Sequence, residues 1–196
     1  MFLTIYNSAR HSMKSTSITE LIRKITLLAI LTAIVIVLQL VFAPMIGAAT
    51  GLSPALVLIP IVIGVATCGL GGGAWLGAVF ALIVMFDPTT VPFIQHNLLL
   101  TILLVFLKGV GSALIAGLVF KLFSKKNKYL AITLAAIAAP VFNTGIFVLG
   151  SLLFFVEITG VEIYMLFISL NFVVETVINA VFVPVIYHIL SIVKKH

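Results

Sequence analysis

Charge is what this sequence has least of. Of its 196 residues only 8% are Asp, Glu, Lys or Arg, 63% are hydrophobic, and the mean hydropathy is +1.37. Soluble domains carry about 25% charged and 45–50% apolar residues, so a water-soluble globule is excluded and an integral membrane protein is implied. There is one cysteine, Cys68, which excludes an intrachain disulfide and any multi-cysteine metal site. Catalytic signatures are missing as well: no HExxH, GxSxG, Walker A or CxxC occurs. The run GLGGG at 69–73 is not followed by Lys-Ser/Thr, which makes it a turn rather than a phosphate cradle. No polar, Pro-rich or Ser-rich linker divides the chain. We therefore expect a cytoplasmic or interfacial segment at 1–24 and a single membrane domain at 25–196.

What is present is a set of long apolar runs, at 25–43, 55–69, 72–86, 98–123, 129–156 and 163–192. A bilayer core needs roughly 20 apolar residues per helix. The expected fold is all-α, an integral membrane bundle of six transmembrane helices, with the two short runs joined by GLGGG as a tight hairpin. Ten of the eleven basic residues fall in three clusters: Arg10, Lys14, Arg23 and Lys24; Lys121, Lys125, Lys126 and Lys128; Lys194 and Lys195. Six spans bring all three to one side, which the positive-inside rule makes cytoplasmic, so both termini are expected there. The opposite loops, 44–54, 87–97 and 157–162, hold no Lys or Arg. The first 24 residues do not read as a cleavable signal peptide, since their basic residues follow the short MFLTIY run. Ser17 and Glu20 match a capping box, which predicts a helix start near Ser17.

The eleventh basic residue is Lys108, near the middle of LLLTILLVFLKGVGSALIAGLVF. Burial of a lysine at a helix centre costs about 2.5–3.5 kcal/mol on insertion scales. Lys108 lies roughly 15 Å from the outer end of its span at 1.5 Å per residue, too deep for easy snorkelling. Glu175 falls at similar depth, and Asn171, Glu175 and Asn179 recur at every fourth residue, a polar stripe on an apolar helix. Asn143 and Thr144 add polar groups to the preceding helix. Two readings compete: a structural Lys108–Glu175 ion pair with amides gluing the helices, or a cavity in which Lys108 meets an anionic ligand. Asp87, Gln95, His96 and Asn97 in the outer loop are expected at its mouth. Two scattered ligands, His96 and Asp87, fall short of a metal site. Ser112 and His188 differ in depth by more than about 15 Å, which excludes an intramembrane serine protease built on them.

Small residues recur one turn apart: Ala29 and Ala33 in AILTA; Gly73, Gly77 and Ala81; Gly109, Ala113 and Gly117. Such faces allow close helix approach. With AILTA, LSPALVLIPIVIGVATCGLGGGAWLGAVFAL, KGVGSALIAGLVFKL and APVFNTGIFVLG in this order, the chain from about residue 20 to 192 resembles the substrate-binding S component of energy-coupling-factor (ECF) vitamin transporters, and is most similar to the pantothenate-type members. The resemblance implies a bacterial plasma-membrane protein that captures a vitamin from outside and has no ATPase and no cofactor. Its implied partners are a transmembrane coupling protein and two ATP-binding-cassette ATPases. It assigns Ala29 and Ala33 to the coupling-protein interface, the substrate to the region of Lys108, Asn143, Asn171 and Glu175, and the loop 44–54 to a lid. It further implies transport by tilting of the whole component.

Trp, the strongest stacking platform, occurs once, as Trp75 beside the cytoplasmic turn, whereas a lysine with several amides suits a small acid. Pantothenate fits that description; a pyridoxine-like ring is the alternative vitamin. The other function class is an autonomous ion-coupled carrier in which Lys108 and Glu175 exchange ions.

Overall fold

The computed structural model describes residues 2–50, 55–159 and 161–193, and among these no strand occurs. Helix α1 (Phe2–Val37) passes through a π-helical turn at Leu38–Phe42 into α2 (Ala43–Thr50). Then follow α3 (Leu58–Val84), a short 3₁₀ turn at Pro88–Thr90, α4 (Val91–His96), α5 (Leu98–Phe123), α6 (Lys128–Phe154), α7 (Val156–Thr159) and α8 (Val161–Val193).

Helix α1 does not begin at Ser17. It runs from Phe2, because nothing in FLTIYNSARHSMKSTS is a proline or glycine that would stop it, and a side-chain cap is dispensable where the helix continues. The expected outer loops are also largely helical: 87–97 is the 3₁₀ turn plus α4, and 157–162 is mostly α7 and the start of α8.

Among the described residues five stretches, not six, are long and apolar enough to cross a membrane: Ile18–Ile46, Leu58–Val84, Leu98–Phe123, Lys128–Phe154 and Leu170–Ile192. The two short runs form one stretch, α3, but it is not straight. Gly69 has φ 84° and ψ −177°, a backbone state closed to residues with a Cβ. Beyond it the chain doubles back: Gly64 packs against the Leu76 side chain and Gly73 against Val65. In a continuous helix Gly64 and Leu76 would stand about 18 Å apart. Each limb is therefore shorter than a bilayer core, and the two lie side by side.

While α1 lies against α3 and α8 against α6, helix α5 packs between α3 and α6. Its Gly109 meets Gly77 of the returning α3 limb, Gly111 meets Phe142 of α6, and Gly117 meets Leu70 just past the α3 turn. Leu31 and Val35 of α1 join Leu58, Ile61, Val62, Leu76 and Ala113 in the buried core, while Ala29 and Ala33 face away from it, exposed.

The ends of the bundle are distinguishable by contact. The Cys68 thiol reaches the Lys24 carbonyl at 3.7 Å, and Tyr129 Oη lies 2.7 Å from His188 Nδ1. The α3 turn, Lys24, the lysine-bearing α5–α6 turn and the last turns of α8 thus share one end. The 3₁₀ turn, α4 and α7 lie at the other.

Candidate functional site

At that other end the π-helical turn, α2, α3, the 3₁₀ turn, α4, α5, α6 and α8 line a cavity of about 380 Å³. The helices set its walls by rotation. Three neighbours of Lys108, namely Leu104, Val105 and Thr101 one or two turns earlier on the same face, point into it with the lysine. From α8 come Asn171 and Glu175, one turn apart. From α6 come Asn143, Thr144 and Phe147, just after Pro140 inside that helix.

Lys108 is half-buried, with its ammonium 4.6 Å from the centre of the Phe147 ring and 5.8 Å from that of Phe80. Glu175 and Asp87 are the carboxylates whose fields reach it, yet neither lies within 4.0 Å. A direct Lys108–Glu175 ion pair, one of the two competing readings of these charges, is thus not formed. Two ring faces are worth about 0.5–2 kcal/mol each to a cation, comparable to the insertion cost of one lysine. They stabilise the charge without using its hydrogen-bond donors.

Glu175 is 3% exposed. Its Oε2 accepts from the Ala55 backbone N–H and its Oε1 from Asn143 Nδ2, both at 3.4 Å, the long end of the hydrogen-bond range. One turn on, Asn179 Nδ2 donates to the Glu175 carbonyl at 2.9 Å. The buried oxygens Asn143 Oδ1, Thr176 Oγ1 and Asn179 Oδ1 have no hydrogen-bond partner among the described residues.

Asp87 sits at the mouth with its carboxylate already engaged. Its Oδ1 accepts from the Thr89 backbone N–H at 2.9 Å and from the Thr89 hydroxyl at 2.6 Å, so it caps the 3₁₀ turn. Its Oδ2 accepts from Gln39 Nε2 at 3.5 Å. Gln39 belongs to the π-helical turn, a distortion that recurs at functional sites. Phe93 of α4 closes over the mouth, its ring 5.1 Å from Phe155 and 5.9 Å from Phe147.

Lys108, Asn143, Asn171, Glu175 and Asp87 therefore share one cavity. Gln95, His96 and Asn97 do not line it. Gln95 and His96 are exposed, His96 lying against Phe155 at 5.6 Å, and Asn97 caps α5 by accepting from the Leu100 N–H. Of the proposed lid at 44–54, residues 51–54 lie outside the described residues and the preceding part is α2. Sequence reading missed Gln39, Ala55, Phe80, Phe93 and Phe147. A signal existed for Phe147, which follows Asn143 by one helical turn. None existed for the Ala55 N–H, a backbone group.

Ser112 donates to the Lys108 carbonyl, and His188 is held by Tyr129 at the far end, so these two are not brought together. Among the described residues no group of three His, Cys, Asp or Glu side chains could hold a metal.

A polytopic helical membrane protein with a small, amphiphilic cavity has the makings of a substrate-binding subunit. The family model for ECF transporter, substrate-specific component matches residues 23–189, and the chain belongs to that family. It is accordingly a membrane subunit that binds substrate and works with an ECF coupling protein and ATPases, not an enzyme. Comparison with curated proteins returned no match, and neither did comparison with solved structures.

Proposed function

We propose that this chain captures a small vitamin-sized acid from outside a bacterial cell and delivers it inward as the S component of an ECF importer. The observation that carries this reading is the cavity between α5, α6 and α8, where a lysine is held against aromatic rings with its ammonium toward the enclosed space. A charge-assisted hydrogen bond from Lys108 to a carboxylate is the interaction that such an arrangement favours. Pantothenate is the candidate, its carboxylate at Lys108 and its skeleton along Asn143, Asn171 and Glu175.

In this reading the lysine-rich end is cytoplasmic, in keeping with the positive-inside rule. Counting the two limbs of α3 separately, the chain traverses six times and both termini are inside. The cavity then opens to the exterior. The exposed Ala29–Ala33 face of α1 docks on the coupling protein, and tilting of the whole component carries the site across.

The test is partner dependence in proteoliposomes. The chain alone should bind substrate without moving it, and uptake should appear only with the coupling protein and both ATPases. An autonomous ion-coupled carrier would transport alone and respond to a proton or sodium gradient, which would overturn the proposal.

A further inference from the structure

We infer, on the footing of the substrate-binding role just proposed, that the cavity selects a bipolar substrate: an anionic group against Lys108 of α5 and a hydrogen-bond-donor group against Glu175 of α8 and Asn143 of α6. The donor is a hydroxyl, an amide N–H or an ammonium.

The first pole is the Lys108 ammonium, which has no hydrogen-bond acceptor among the described residues and rests on ring faces instead. Its donors remain available to an anion. The second pole consists of acceptors. Ionised, a carboxylate offers about four lone-pair sites; Glu175 receives two hydrogen bonds, both long. Beside it, Asn143 is 6% exposed, gives its Nδ2 to Glu175, and keeps a buried Oδ1 without a partner. Exchanging the amide oxygen and nitrogen would only set two acceptors face to face.

Buried acceptors in this state call for a donor. Lys108 would supply it if it paired with Glu175, but the two do not come within 4.0 Å of each other. Nor is Asp87 a rival for the donor, being held by Thr89 and Gln39. Between the poles Phe80, Phe147, Leu104 and Val105 provide apolar surface for a short carbon skeleton. At about 380 Å³ the cavity is near the small end of ligand pockets. A simple acid would leave Glu175 and Asn143 desolvated and unsatisfied, and a neutral polyol would do the same to Lys108.

The test uses the purified full chain in detergent and four probes. Pantothenate carries a carboxylate with hydroxyl and amide donors; panthenol has similar donors without the carboxylate. 6-Aminohexanoate carries a carboxylate and an ammonium; hexanoate carries the carboxylate alone. Calorimetric titration should show at least one bipolar probe binding about tenfold or more tighter than hexanoate, which lacks the donor; the comparison with panthenol reports the anionic pole alone. Whether pantothenate or 6-aminohexanoate gains over hexanoate identifies the donor as a hydroxyl or amide, or as an ammonium.

Glu175→Gln should shrink the advantage of 6-aminohexanoate over hexanoate strongly if the donor is an ammonium, and that of pantothenate over hexanoate less if it is a hydroxyl or amide. Asn143→Ala should reduce either advantage, and serves if E175Q is not recovered folded. Equal binding of one-ended and bipolar probes, an advantage unmoved by both variants, or no binding of any probe overturns the inference. Co-purification with the coupling protein and ATPases separates the two levels: a chain that assembles but shows no bipolar preference keeps the transporter role and loses this one.

Discussion

Gly77 and Gly109 meet backbone to backbone: a Cβ on Gly77 would fall 2.6 Å from the Gly109 carbonyl oxygen, and one on Gly109 would fall 2.7 Å from that of Gly77. No side chain stands between α3 and α5 at this crossing. Because Lys108 precedes Gly109 and Phe80 follows Gly77 by one turn, the contact also sets the distance between the ammonium and one of its rings.

Gly109→Ala should therefore cost about 1–3 kcal/mol, the usual penalty of overpacking a closed contact, and should weaken substrate binding by shifting Lys108. Thermal unfolding in detergent together with a binding titration would check it. Unchanged stability would show that the two helices separate at little cost.

Lys108→Ala should weaken binding of an acidic substrate by roughly ten- to a hundredfold, the worth of a charge-assisted hydrogen bond. The ligand-free protein should lose little stability, since no direct ion pair is broken. If the variant bound normally and unfolded at a lower temperature, Lys108 would be a structural cation.

Ala29→Trp and Ala33→Trp place a large ring on an exposed face, outside the core and the cavity. Substrate affinity of the isolated chain should not change. Co-purification with the coupling protein, and uptake with it, should be lost; retention of both would move the docking surface elsewhere.

Gly69→Ala and Gly71→Ala form a matched pair, as neither added Cβ would meet another atom within 4 Å. Only Gly69 has a positive φ. The first substitution should destabilise by about 1–3 kcal/mol through backbone strain, and the second should be neutral or slightly stabilising, as helical Gly→Ala changes are. Melting temperatures compared under one detergent would separate conformation from packing.

Much of the site is legible in the amino-acid sequence. The depth of Lys108 and Glu175 follows from counting residues along their helices, and the every-fourth-residue polar stripe puts Asn171 and Glu175 on one face. The GLGGG run marks the fold-back, although its limbs are too short to count as separate spans by length. Other features are not legible. The loop residues Gln95 and His96 share a segment with Asp87, but α4 turns them outward while Phe93 turns in. Ser17 fits a cap locally, and the helix passes through it because nothing upstream interrupts the backbone.

By itself the sequence determined that this protein lives in a bilayer, which residues are costly there and how deep they lie, because transfer free energy depends on residue type and helical rise is constant. The tertiary structure alone decided what those residues meet. Lys108 rests on Phe80 and Phe147 rather than on Glu175, and Glu175 takes a hydrogen bond from the backbone of Ala55, 120 positions away in the chain. Such contacts depend on how each helix is rotated about its axis and where it crosses its neighbours. That is set by the close approach of small residues such as Gly77 and Gly109, and no one-dimensional pattern specifies the partner.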